Sequence, residues 1–142
     1  MIAAQHDATQ PFEEFEGIAD CVLVDAPCTG LGTACHRPDV KWNKKQEDAA
    51  ALAKLQRQIL QNASRSVKPG GKLIYCTCTF TQTENEDVVG WFLANNAAFH
   101  LTPLTLPKNM PGHSDEKSGM LRLWPQIHQT DGFFICAMEK IS

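Results

Sequence analysis

Cys21-Val22-Leu23-Val24 is an unbroken apolar run with β-branched residues, and it stops at Asp25-Ala26-Pro27. Such a run predicts a strand buried on both faces, as in a parallel sheet. Pro27 has no N–H to give to a ladder and ends it. Cys28-Thr29-Gly30-Leu31-Gly32-Thr33 is then a glycine-bearing loop at the strand's carboxyl end. Asn43 and Gln46 have the spacing of a capping box. Behind them Leu52, Leu55, Ile59, Ala63 and Val67 recur every three or four residues, predicting a long amphipathic helix closed by Pro69-Gly70-Gly71. Lys72 to Thr77 predicts a second strand. Thr83 with Glu86 predicts another capping box, with Glu84, Glu86 and Asp87 at the positive end of a helix that runs to about Asn95. Its apolar content is Val88, Trp91, Phe92 and Leu93. Beyond it, Pro103, Pro107, Pro111 and Gly112 punctuate a loop-rich stretch, Leu121 to Trp124 predicts a short strand, and Phe133 to Met138 predicts the last one.

This order of elements predicts an α/β fold with parallel strands followed by an antiparallel end. The chain has 142 residues, enough for one domain: residues 1–19 read as a polar, acidic lead-in and 20–142 as the folded part. A composition 43% hydrophobic and 20% charged excludes a disordered chain. The longest apolar runs fall far short of the ~20 residues of a membrane span. Met1 to Gln10 lacks the basic start and apolar stretch of a secretory signal, so the cytoplasm is the expected compartment.

The net charge of −3 conceals a strong asymmetry. Between His36 and Lys72, nine basic residues (among them Arg37, Lys41, Lys44 and Lys45) face only three acids, a net of +6, while the remainder carries −9. A basic segment within an acidic chain suits either a phosphate-facing surface or a solvated helix face. His36, beside Arg37, reads as a surface histidine. Trp42, Trp91 and Trp124 read as packing anchors.

Six cysteines stand at 21, 28, 35, 76, 78 and 136, with no Cys-x-x-Cys pair, a pattern that suits free thiols in a reducing compartment better than disulfides or zinc. Cys21 and Cys136 fall within predicted strands and read as core. Cys28 follows the first strand and Cys78 stands at the end of the second. A right-handed helical crossover between these strands makes them parallel neighbours. Both thiols then lie at the sheet edge where α/β folds collect ligands. For either cysteine alone, a small buried hydrophobe is the competing reading.

Asp25-Ala26-Pro27-Cys28-Thr29-Gly30-Leu31-Gly32, with Arg37-Pro38-Asp39-Val40-Lys41-Trp42, resembles motif IV of the Nop/Sun family of RNA (cytosine-5) methyltransferases. Tyr75-Cys76-Thr77-Cys78-Thr79-Phe80, with Glu84-Asn85-Glu86, resembles its motif VI. Arg122-Leu123-Trp124-Pro125 and Thr130-Asp131-Gly132-Phe133-Phe134 are similar to its closing segment. The likeness runs from about Asp20 to Lys140, and the bacterial 16S ribosomal RNA enzymes are the nearest members. It implies a Rossmann-like fold, S-adenosylmethionine as methyl donor and ribosomal RNA as partner. It implies Cys78 as the nucleophile that adds to carbon 6 of cytosine, and Cys28 as the thiol that helps the adduct break down. Asp25 would hold the base, and the backbone at Pro27, with Asp25, would approach the donor. Arg37, Lys41, Lys44 and Lys45 are the expected RNA contacts, Thr77 and Thr79 loop supports.

The family's glycine-rich cofactor loop is not found upstream of Asp20, and Gly30-Leu31-Gly32 belongs to the motif IV loop. The chain is therefore expected to correspond to the C-terminal half of the catalytic domain, with self-association through an unpaired edge at the Asp20–Asp25 strand. Two other classes compete: a non-catalytic RNA-binding or assembly module that uses the basic segment alone, and a cysteine hydrolase, for which no histidine stands in a suitable context.

Overall fold

The computed structural model describes residues 3–38, 46–105 and 118–142. One mixed sheet contains β1 (Ala19–Asp25), β2 (Val67–Thr77), β3 (Phe99–Leu101), β4 (Met120–Leu123) and β5 (Phe133–Lys140). Helices α1 (Gln46–Ser66) and α2 (Glu86–Asn95) pack on one face, and a four-residue helix, α3 (Pro125–His128), lies between β4 and β5. β1 and β2 are parallel, with Val22 opposite Leu73 and Val24 opposite Tyr75. The crossover through α1 thus makes them the neighbours that the sequence predicts. β5 lies antiparallel on the other side of β2, with Thr77 opposite Phe134. Its far edge is shared, β4 pairing with its first half and β3 with its second. The antiparallel part is therefore larger than the terminal hairpin-like pair expected. β3 and α3 carry no clear sequence signal.

Alternation along the strands builds the core. Leu73, Tyr75, Phe134, Cys136 and Met138 point beneath the helices and meet Leu60, Val88, Val89 and Phe92, all buried. Cys136 is core, as expected. Cys21 is not: it is exposed, and so is Leu23, at 66%. The unbroken apolar run of β1 predicted burial on both faces. Among the described residues, however, β1 is an edge strand with helices on one side only, so Val24 is buried and the alternate positions are open.

The buried stripe of α1 is also turned by one residue. Ala49, Ala53, Gln56, Leu60 and Ser64 are buried, whereas Leu52, Leu55, Ile59 and Ala63 sit half-buried on the shoulder. Small residues at the closest approach let the helix settle against the sheet, and the larger aliphatics flank it.

Two expected boundaries shift. α1 ends at Ser66, ahead of Pro69-Gly70-Gly71, which lie within β2. There the ladder slips: Ala19 pairs with Val67 but Cys21 with Lys72, so residues 68–71 bulge out, and Gly70 takes the left-handed φ of 71° that the bulge requires. Thr83 and Glu86 form no capping box. Thr83 lies in a 3-10 turn, Gln82–Glu84, α2 starts at Glu86, and the Glu86 carboxylate is held by Arg122. Asn43, of the other expected box, lies outside the described residues, as does Trp42. Trp124 stacks on Phe80 with ring centroids 5.1 Å apart, and Trp91 lies under Arg57, so both act in packing. Among the described residues no helix is long and apolar enough to cross a membrane.

Candidate active site

β1 and β2 run out side by side, and the Ala26 N–H donates to the Cys76 carbonyl at 3.0 Å, carrying the parallel ladder one residue past Asp25. The two loops that follow bring Cys28 and Cys78 together, with the sulfur atoms 3.3 Å apart. Both thiols open into a cavity of about 510 Å³ that is also lined by Asp25, Pro27 and Arg37. The Asp25 carboxylate is exposed to it and receives a long 3.8 Å contact from the Cys76 thiol. His36, near the cavity rim, is exposed and meets Asp131 at 2.8 Å, which links the Cys28 loop to the approach to β5.

Backbone bonds fasten these loops. The Gly32 N–H donates to the Cys78 carbonyl, and the Gly132 N–H to the Gly32 carbonyl, each at 2.9 Å. Three segments far apart in sequence meet here at backbone distance, so Gly32 has no room for a side chain. A Cβ on it would stand 2.1 Å from the Gly132 oxygen and 2.8 Å from that of Cys78. Arg122 braces the outer side: its Nη1 donates to the Phe80 carbonyl at 2.7 Å while its other nitrogens fork onto Glu86.

Burial, and then the neighbouring Cys78, push the Cys28 thiol up to about 12. Cys28 therefore keeps its proton at neutral pH and can donate it toward the Cys78 sulfur. Burial and the Asp25 carboxylate push Cys76 up to about 11, and its S–H is turned to the Val24 carbonyl at 3.4 Å. Cys76 thus belongs to the sheet, although it stands two residues from Cys78. Cys35 is exposed.

Of the residues singled out from sequence, Asp25, Pro27, Cys28, Arg37 and Cys78 converge on the one cavity. The Pro27 carbonyl is already engaged by Gln56 Nε2 at 2.9 Å. Lys41, Lys44 and Lys45 lie outside the described residues. Elsewhere the basic segment does not form one surface: Arg65 meets Glu16 at 3.1 Å, Lys68 meets Asp20 at 2.5 Å, and Arg57 rests over Trp91. Thr77 and Thr79 do support the loop, donating to Asn85 Oδ1 at 2.6 Å and lying 2.7 Å from the Thr29 hydroxyl, respectively. Sequence reasoning passed over Gln56 and gave Glu84 and Asn85 no role beyond the motif VI resemblance and a helix start; all three are fully buried. Gln56 lies between Ala53 and Leu60 on the buried stripe of α1, one residue off the apolar positions read from the sequence, so it drew no notice. Glu84 and Asn85 stand within the motif VI resemblance, but locally they look like ordinary helix-start residues, so their place behind the thiols was not legible.

The family described as 16S rRNA methyltransferase RsmB/F matches residues 1–139. The probable ribosomal RNA small subunit methyltransferase B of Bacillus subtilis is 42% identical over 137 residues, 94% of this chain and 30% of that protein. The ribosomal RNA small subunit methyltransferase F of Shewanella piezotolerans is 35% identical, over 88% of this chain and 27% of its own length. Among solved structures, PH0851 superposes with a TM-score of 0.84 at 41% identity, covering 95% of this chain and 30% of that one. NSun6 from Pyrococcus horikoshii, solved with SFG, superposes with a TM-score of 0.77 at 33% identity, covering 98% and 34%. The chain spans about 30% of the length of the first of these relatives. By its match along nearly all of its residues, it belongs to the 16S rRNA methyltransferase RsmB/F family.

Proposed function

We propose that this chain carries the base-side chemistry of S-adenosylmethionine-dependent methylation at carbon 5 of a cytosine in ribosomal RNA. The observation that carries the reading is the pair of thiols, 3.3 Å apart, opening with the Asp25 carboxylate into one cavity. Carbon 5 of cytosine is weakly nucleophilic until a thiolate adds at carbon 6. In this reading the Cys78 sulfur forms that bond, and the C5–C6 electron pair becomes available at carbon 5. Once carbon 5 is methylated, its proton passes to water in the open cavity, the C5–C6 double bond re-forms and the S–C6 bond breaks, returning the Cys78 thiolate. Cys28, with its sulfur 3.3 Å from that of Cys78, serves this second half by hydrogen-bonding to the sulfur as the S–C6 bond breaks. Asp25, exposed at the cavity wall with acceptor capacity to spare, receives the base's N–H groups. A cytosine must be unstacked to reach the sulfurs, and in this reading Arg37, which lines the cavity, meets a phosphate of the RNA.

The open cavity and the Asp25 carboxylate fit the reacting end of S-adenosylmethionine, and the relative NSun6 was solved with SFG, an analogue of it. Bound there, the donor supplies an electrophilic methyl group. With its carbonyl turned to Gln56, Pro27 contributes shape at the cavity wall rather than an acceptor.

The test uses a methyltransferase that contains this segment at the full length of its relatives. Cys78→Ser abolishes both methylation and any covalent protein–RNA species. Cys28→Ser still attacks and transfers methyl but releases slowly, so a covalent species accumulates on a denaturing gel. The reverse pattern would exchange the two roles. Methylation and RNA binding that ignore both substitutions would favour the non-catalytic module.

A further inference from the structure

Directly behind the two thiols lies a second carboxylate that the mechanism above does not use. Glu84 is fully buried. Its Oε1 accepts from the Thr29 backbone N–H at 2.8 Å and from Gln56 Nε2 at 3.2 Å. Its Oε2 accepts from the hydroxyls of Thr29 at 2.7 Å and Thr81 at 2.6 Å. The Thr79 hydroxyl is 2.7 Å from that of Thr29 and 3.4 Å from the carboxylate. Thr29 follows Cys28 and Thr79 follows Cys78, so each thiol is one residue from a threonine tied to the same group. Asn85 holds the second loop from its other side, donating to the Thr79 carbonyl at 3.0 Å and accepting from Thr77 at 2.6 Å.

Burying a carboxylate is expensive, and an apolar side chain of similar size commonly serves packing as well or better. What an apolar group cannot do is receive four donors from three positions, Thr29, Gln56 and Thr81, that lie in two loops and a helix. The cost is met by saturation: every donor around Glu84 is one that a carboxylate accepts. Geometry at the sulfurs is demanding, because a displacement of about 1 Å at reacting groups can cost on the order of a hundredfold in rate.

We propose that Glu84 is the positioning residue that sets the separation of Cys28 and Cys78, acting through Thr29 and Thr79, so that one thiol can serve an adduct held by the other. This rests on the two-thiol reading above. Its own content is the cause of the 3.3 Å spacing.

Dibromobimane, which becomes fluorescent after joining two thiols a few ångström apart, reads the spacing in the 142-residue chain without RNA or cofactor. Peptide mapping identifies the Cys28–Cys78 bridge, and single alkylation of each thiol by monobromobimane provides the reference. Wild type forms the bridge. In Glu84→Ala the ratio of bridging to single alkylation falls at least tenfold, while circular dichroism shows a retained fold. Glu84→Gln, which keeps the length and an acceptor for the Thr29 N–H, retains more than half of the wild-type ratio. Where Glu84→Ala does not fold, Thr29→Val takes its place and shows the same fall. An unchanged ratio in either folded variant would overturn the proposal. Because the bridge needs no substrate, this failure is distinct from failure of the methylation reading, which appears only in the adduct experiment.

Discussion

Phe133 and Phe134 are neighbours in β5 and point to opposite faces of the sheet. Phe134 is fully buried beneath the helices, its ring 6.4 Å from that of Tyr75. Phe133 borders an open apolar groove of about 290 Å³ with Leu23, Ile74, Ile135, Cys76 and Asp25. Side chains alternate in direction along the strand, and what separates these two rings is that α1 and α2 pack on one face only. Asp25 lines both this groove and the thiol cavity, so the groups offered to a ligand stand on the uncovered side of the sheet. The groups that hold them, Thr29, Thr79, Glu84 and Asn85, are buried on the other.

The sharpest way to break this contrast is to truncate the two rings. Phe134→Ala is expected to cost about 3–5 kcal/mol in denaturant unfolding, and Phe133→Ala less, since its half-buried ring borders the open groove and keeps part of its area in water. Equal losses would mean that the open face is as well packed as the sealed one. Next in size is Gly32→Ala. Its methyl group would enter the meeting point of three backbones, and overpacking of this kind costs about 1–3 kcal/mol, read as a lower melting temperature with the Cys28–Cys78 bridge impaired.

Thiol chemistry sharpens the contrast further. Burial, followed by Glu86, pushes Cys136 up to about 12 from a usual 9.0. At pH 8 its alkylation is expected to be at least about a hundredfold slower than that of exposed Cys21, as its thiolate is scarce and its access closed. The same raised values give stability a pH dependence. Above pH 9 the unfolded chain releases thiol protons that folded Cys28, Cys76 and Cys136 retain, so stability falls as pH climbs toward 11–12. Cys136→Ala should flatten part of that slope, and an unchanged slope would place the titration elsewhere. The smallest effect belongs to Leu23→Lys at the bare edge. Stability should stay within about 0.5 kcal/mol of wild type, while any dimer built on β1 shifts toward monomer in sedimentation velocity. A dimer that persists would exclude the β1 edge as its contact.

The sheet's first crossover was legible because an apolar run, a 3.6-residue period and a second run are local signals, and the meeting of Cys28 with Cys78 followed from them. Burial was legible only by half. The letters Cys21-Val22-Leu23-Val24 are equally apolar on both sides, and which side is covered depends on where α1 and α2 land. In α1, large residues drew attention to one stripe, whereas Ala49 and Ala53 mark the true contact by their smallness. The clasp behind the thiols was hidden for a different reason. Glu84 and Asn85 sit where acidic and amide residues commonly open a helix, so local chemistry explained them too readily, and Gly132 is 100 residues from the Gly32 it must accommodate.

The hydrogen-bonding of β5 bears on the order in which the chain can fold. β2, β3 and β4 all take their antiparallel partner from residues 133–140, and none of these three pairs with another of the three. During synthesis, α1 and the β1–β2 pair can form early, but β3 and β4 must wait unpaired for a strand made after them. Loop closure over such separations is slow, and exposed strand edges in the interval invite association with other nascent chains. A polypeptide released before residue 133 would therefore be a ligand for chaperones rather than a smaller version of this fold.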